Sequence, residues 1–593
     1  MARKIIGAVL LLLMLAVLEL NKNTIAGWVV FILLTAGFAA LRETVLRDSK
    51  LLPRAGLWVG WFAAFAAVLF LTYPPVQSVP ATDVSSPRKT GVITVAQGSL
   101  TGVYNSDGTV EVYAGIPYAQ PPVGELRWRE PRDPLPWEGI READTFAPMS
   151  MQPTNTPIYS SLAQIIGYHD YSISLSDNYL PPVSEDSLYL NVWKPAGDVS
   201  GAPVLVYIHG GSLQTGQPWY GDYSGEGLAR EGVIVVNMGY RLGVFGYFAD
   251  EELAAESPNG TTGNYGLLDQ IKALEWVRDN IAAFGGDPGN VTLSGESAGA
   301  ASVSALCTSP LAAGLFRRVI LESSTVAGTE PPHSFRLLDE ALKSGGELKA
   351  RHGCATVAEL RALSAEELVS EAYTQHHITV DGYALTETPY ESYMKGIHNE
   401  EAILHGCNAE ESGPFIIFDH ASMKDYEQKV RGYFKEYADD VLAIYPASDD
   451  SEADGYWAEI YGSVFFNYPH YCLDRLAVQN GIPAYEYLFT KHNGRLGSWH
   501  SGEMIYCFGN IPESSGLFDA GDRALSRTMV SCWLNYIGTG DPNGEGRPEW
   551  EQSTTSGRLL EFGENVGMTD EKRLALYGVL DRMTGFGLSE GNE

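Results

Sequence analysis

The sequence predicts an α/β protein, a central and mostly parallel sheet flanked by helices, with an N-terminal transmembrane helical segment ahead of it. Three observations carry this: short β-branched runs alternating with helical segments from residue 91 onward, a strand-turn-helix passage around residue 297, and three apolar runs within the first 73 residues. A chain of 593 residues, 45% apolar and 19% charged, is long enough to bury a large core. Forty Lys and Arg stand against 73 Asp and Glu, a net charge of −33. Such an excess of negative charge repels phosphate backbones, so no nucleic acid is expected as a partner.

The charge is unevenly placed. Residues 1–89 hold nine basic and four acidic side chains, a charge of +5, which leaves 31 basic against 69 acidic, or −38, in the remainder. The basic head contains the apolar runs 5–18, 25–41 and 55–73. A spanning helix needs about 20 apolar residues, with a lower limit near 17. The third run qualifies, the second is at the limit and the first is short. Met-Ala-Arg-Lys followed by a Leu-rich stretch also fits a secretory signal, but the exit Leu18-Glu19-Leu20 lacks a small-x-small cleavage site. Residues 1–73 therefore read as a membrane anchor of about three transmembrane helices, 74–90 as a Pro/Ser/Thr-containing linker, and 91–593 as a separate acidic body. Arg42, Arg47, Lys50 and Arg54 crowd the loop between runs two and three. The positive-inside rule then puts that loop and the N-terminus in the cytoplasm, making the chain a multi-pass protein of the cell membrane with its body on the extracytoplasmic side.

Within the body, residues 204–208 and 233–237 read as buried strands and 266–284 has helical periodicity. The passage Asn290-Val-Thr-Leu-Ser-Gly-Glu-Ser-Ala-Gly-Ala-Ala-Ser302 runs a β-branched strand into Gly295-Glu-Ser-Ala-Gly299 and then into helix formers. G-x-S-x-G alone is a weak signal. In this context it is the nucleophile elbow of an α/β-hydrolase fold, with Ser297 on a tight turn whose flanking glycines leave room for strand and helix. A nucleophilic serine needs donors for an oxyanion. Tyr207-Ile-His-Gly-Gly-Ser212 ends a strand in small residues, so the N–H groups of Gly211, Ser212 and Ala298 are the candidates. The elbow order places an acid and then a histidine downstream.

At this point the chain resembles the type-B carboxylesterase/lipase family, which includes para-nitrobenzyl esterases, animal carboxylesterases and cholinesterases. The resemblance extends from Gly91 to the C-terminus and includes residues 113–128, Glu185-Asp-Ser-Leu-Tyr-Leu-Asn191, Gly263-Asn-Tyr-Gly-Leu-Leu-Asp-Gln270 and residues 280–288. It implies a Ser-acid-His triad. Glu411, within Gly406-Cys-Asn-Ala-Glu-Glu-Ser-Gly413, matches the acid, and Glu410 is the alternative one register earlier. Ser412 stands where the family usually has Gly. His500 matches the base, and Glu503 its acidic neighbour. Glu296 resembles the family's acidic residue beside the nucleophile. The implied activity is hydrolysis of small-molecule carboxylic esters through an acyl-enzyme.

An amidase, carbamate hydrolase or lipase using the same triad stays open, as does a neuroligin-like adhesion ectodomain without catalysis. Residues 152–186 carry no Trp to stack on a choline ammonium, leaving Tyr159, Tyr168, Tyr171 and Tyr179 as pocket candidates. Ser150 and Ser187 occupy the positions of the family's first disulfide. The six cysteines form no CxxC and there is no H-E-x-x-H, so neither a metal nor a cofactor is expected. Oligomeric state is left open by the sequence.

Overall fold

The computed structural model describes residues 2–46, 50–166, 179–325, 335–492, 497–513 and 516–586. It divides into two packed units, one of Met1–Ser78 with Thr154–Pro182, the other of Val79–Pro153 with Val183–Glu593.

The first unit is helical: α1 (Ala2–Leu20), α2 (Ile25–Thr44), α3 (Leu51–Leu71) and the short α4 (Pro157–Ile166), which packs on α1. Helices α2 and α3 are both long and apolar enough to cross a membrane, whereas the apolar part of α1, Ile6–Leu20, is shorter. Helix α2 outruns its apolar run because a last turn tolerates charge: Arg42 near its C-terminus suits the helix dipole. Met14, Leu18, Phe31, Trp61 and Val68 are buried together. A Cβ on Gly27 would lie 2.2 Å from Thr72 Oγ1, so the missing side chain is what lets α2 approach the end of α3. Asn23 Nδ2 donates to Leu69 O and Thr72 Oγ1 at the same corner.

The second unit is built on an eleven-stranded sheet. In chain order its strands are β1 (Val103–Tyr104), β2 (Val110–Pro117), β3 (Tyr189–Pro195), β4 (Ala202–Ile208), β5 (Ile234–Met238), β6 (Gly286–Glu296), β7 (Arg318–Glu322), β8 (Ala402–Asn408), β9 (Ala484–Phe489), β10 (Arg558–Phe562) and β11 (Val566–Asp570). Their spatial order is β1-β2-β3-β5-β4-β6-β7-β8-β9-β10-β11. Pairing is parallel from β5 to β10 and antiparallel at both ends. Helices cover the central parallel strands, which explains why β5, β7 and β8 are buried along their whole length instead of alternating. This is the α/β-hydrolase fold.

The chain moves from β4 to β5 on one side of β4, then returns to lay β6 on the other. Strand order therefore reverses at the β4/β6 pair, where the crevice beyond the carboxyl ends is the preferred place for a ligand in an open α/β sheet. Ile208 is in register with Gly295 there, so the turn after β4 and the turn after β6 emerge side by side. The stretch expected as a linker is pinned from Val79 onward: Phe146 N donates to Val79 O and Ala81 N to Asp144 O.

Candidate active site

Ser297 leaves β6 with φ 53° and ψ −125°, and helix Ala298–Thr308 begins at the next residue. A non-glycine residue at positive φ is costly, and here the surroundings enforce it. Ser297 N donates to Glu322 O on β7, and Ala301 N returns to Ser297 O as the helix starts. A Cβ at Gly295 would sit 2.4 Å from Gly299 C, and one at Gly299 would sit 2.0 Å from Ile208 O. Neither position has room for a methyl group. Every residue of the following helix is buried, which its Ala, Gly and Ser content permits.

The turn after β4 lies against this elbow: a Cβ on Gly210 would come within 3.0 Å of Ser297 Cβ and 2.7 Å of Glu296 Oε2. Gly211, Ser212 and Leu213 all have positive φ, at 101°, 55° and 57°. The turn is held from behind, where Tyr240 OH donates to His209 O and Gly243 N to Leu213 O. Burial pushes the pKa of His209 down to about 4, so this ring stays neutral and serves the turn. Among the described residues, the N–H groups of Gly211 and Ser212 have no backbone acceptor. An αL serine at 212 keeps its N–H as a donor.

His500 and Glu411 arrive from loops after β9 and β8. The imidazole Nδ1 lies 2.5 Å from Glu411 Oε2, and the carboxylate is fully buried. Its second oxygen accepts from Ser323 Oγ at 2.6 Å and from Asn408 N at 2.7 Å. Glu410 is placed elsewhere: its side chain is half exposed and accepts from Ser498 N. On the other edge of the ring, Nε2 lies 3.2 Å from Glu296 Oε1. Phe415 and Phe466 pack against the ring edge-to-face and tilted, with centroids at 5.0 and 4.9 Å. Phe466 reaches it from a π-helical turn, Ser463–Asn467, a local widening often found at functional sites.

Burial would weaken the basicity of His500. The charges of Glu296 and Glu411, the hydrogen bond to Glu411 and the charge of Glu503 outweigh it and lift the pKa from 6.5 to about 9. Glu503 accepts from Asn408 Nδ2 and Tyr487 OH, and burial followed by the Glu411 charge raises its pKa. Glu322, between Trp533 Nε1 and Cys507 Sγ, is lifted by burial and by Glu503 to about 8. Three carboxylates, Glu296, Glu411 and Glu503, thus act on a single imidazole, with Glu322 interacting with Glu503 and Glu296 in turn.

The structure brings together His500, Glu411, Glu296 and Glu503, and sets the elbow of Ser297 and Ala298 beside the turn of Gly211 and Ser212. Ser323, Asn408 and the aromatic pair were not singled out from the sequence. A serine directly after the buried run 318–322 was the available sign of the first. Tyr168 and Tyr171 lie outside the described residues, while Tyr159 belongs to α4 in the first unit. Ser150 Oγ lies 3.0 Å from Ser187 Oγ and donates to Tyr240 O, so a polar contact joins the pair of positions where the family carries a disulfide. The six cysteines are unpaired. Among the described residues no cluster of His, Cys, Asp and Glu is suited to a metal ion.

Comparison with known proteins gives this geometry its setting. Residues 89–576 match the model of the carboxylesterase family. The fumonisin B1 esterase of Sphingopyxis macrogoltabida is 33% identical over 496 residues, covering 79% of this chain and 86% of that protein. Human carboxylesterase 3 is 32% identical over 533 residues, covering 83% and 90%, and the pig liver carboxylesterase is 31% identical over 545 residues, covering 82% and 92%. A match of that extent, over a sheet whose strand order reverses at a G-x-S-x-G elbow, means that the chain belongs to the carboxylesterase family and is a carboxylic ester hydrolase.

Proposed function

We propose that the protein is a membrane-anchored serine carboxylesterase in which Ser297, His500 and Glu411 form the catalytic triad. The observation that carries this reading is the bonded sequence Ser323, Glu411, His500, which ends against the residue preceding a left-handed serine. In the first step Nε2 of His500 leaves Glu296 for the Ser297 hydroxyl and takes its proton as Oγ attacks the ester carbonyl. The N–H groups of Gly211, Ser212 and Ala298 receive the developing oxyanion. Loss of one such donor typically raises the barrier by ~3 kcal/mol. Glu411 holds the ring in the tautomer that presents a bare Nε2 and stabilises the imidazolium. The histidine then protonates the leaving alcohol and activates water to free the acid.

The acidic surroundings disfavour polyanionic esters, and the apolar ring pair at His500 favours an uncharged acyl or alcohol group. The test is hydrolysis of para-nitrophenyl acetate, butyrate and longer esters by the full chain in detergent, beside the matching anilides. Ester turnover well above anilide turnover is the expected result. Folded protein that cleaves none of the esters overturns the proposal, and faster anilide cleavage makes it an amidase.

Anchoring rests on the two apolar helices and on the basic loop between them. The same proposal takes the shorter apolar helix Ile6–Leu20 as a third crossing, which places the N-terminus inside and the catalytic unit outside. A C-terminal fusion to alkaline phosphatase should then be active in intact bacterial cells, and a fusion active only when its reporter requires the cytoplasm refutes the orientation.

A further inference from the structure

Ser501 follows His500 with φ 68°, a left-handed conformation that glycine adopts freely and that strains a serine. Its side chain is buried, and its hydroxyl donates to Glu296 Oε1 at 2.7 Å. That is the same oxygen that lies 3.2 Å from His500 Nε2. Two donors therefore converge on one carboxylate oxygen beside the nucleophile, one of them the nitrogen that must be free for Ser297. Strain at a buried position beside an imidazole points to a role for the hydroxyl.

We propose that Ser501 is a positioning residue that competes with His500 for Glu296 Oε1 and so keeps the imidazole Nε2 available to Ser297. The inference rests on His500 as the base. A carboxylate on each ring nitrogen favours the doubly protonated imidazolium, which cannot accept the serine proton. A hydroxyl donated to Oε1 spreads the charge of Glu296 and weakens its hold on Nε2–H. The other groups that set this balance are Glu411 on Nδ1, the charge of Glu503, Glu322 interacting with Glu503, and the buried phenol of Tyr240 near Glu296.

The experiment uses the full chain in detergent with Ser501→Gly, Ser501→Ala, Glu296→Gln and the double variant Glu296→Gln/Ser501→Gly. Two quantities are read: the acid limb of kcat/KM against pH for para-nitrophenyl butyrate, and the NMR titration of the His500 ring, assigned through His500→Gln. In Ser501→Gly both midpoints should move up by about half to one pH unit, with kcat/KM at pH 7 falling about three- to tenfold. Thermal stability should hold or rise, because glycine relieves the positive φ. Glu296→Gln should move both midpoints down, and the double variant should sit where Glu296→Gln does. Ser501→Ala keeps a side chain and lacks the hydroxyl, so it should shift as the glycine variant does. Midpoints unmoved within about 0.2 unit, or moved downward, in Ser501→Gly overturn the proposal. A ring titration that shifts while the rate profile does not leaves the competition standing and removes His500 as the base.

Discussion

Ser297→Ala should lower kcat for ester hydrolysis by about six orders of magnitude, to the background of the remaining site. The backbone at 297 is held by its bonds to Glu322 O and from Ala301 N, and neither uses the side chain. The variant should therefore melt within a degree or two of the parent while losing turnover. His500→Ala should match it, and the double variant should be no worse, because two groups that move one proton fail together. Glu411→Gln should lose less, about four orders, since the ring remains but in the wrong tautomer. A further consequence of Glu411→Gln is local: Ser323 Oγ and Asn408 N lose a charged acceptor in a fully buried place. Rates with para-nitrophenyl butyrate and labelling by a fluorophosphonate check all of these. If Ser297→Ala keeps more than about a tenth of the rate, the nucleophile has been misassigned.

What the sequence disclosed is what short-range physics encodes. Residues 204–208 and 233–237 are strands within two residues of their observed bounds, and the helix read at 266–284 is Tyr265–Asn280 continued by a 3-10 turn to Phe284. The elbow was legible because its glycines are steric necessities, as the blocked Cβ positions at 295 and 299 show. The apolar run 25–41 falls short of helix Ile25–Thr44, since the run stops at the first charge whereas the helix carries Arg42 in its last turn. Long-range contacts left no local trace. Nothing near Glu411 in sequence indicates that Ser323, 88 residues earlier, will bond it. The Ser501 hydroxyl meets a carboxylate 205 residues away. The assignment of Thr154–Pro182 to the first unit is equally a matter of packing, which periodicity within that segment does not report.

Asp269→Ala should destabilise the second unit by about 3–5 kcal/mol. Asp269 is fully buried in helix Tyr265–Asn280, and the Arg241 side chain is 3% exposed. Their pairing is bidentate, Nε to Oδ2 and Nη2 to Oδ1, each at 2.7 Å, and Arg241 N adds a third donor at 3.1 Å. Removing the acid leaves a guanidinium in a low-dielectric interior, where the neutral carbonyls of Arg129 and Tyr265 and the Tyr265 ring do not neutralise its charge. The damage should reach the site by a short route. Arg241 follows Tyr240, whose hydroxyl holds His209 O and whose ring stacks on His209 at 4.6 Å. The turn proposed to receive the oxyanion begins at the next residue, so loosening Arg241 should lower kcat at temperatures well below the melting point, by more than a surface variant of equal stability. Replacing both members, Asp269→Leu with Arg241→Met, should recover much of the lost stability, because the penalty lies in the unpaired charge and not in the absence of an ion pair. Denaturant midpoints of the single and double variants measure this. Equal losses in the two would mean that the pair is worth its own attraction and that the buried charge costs little, contrary to the account of the turn given above.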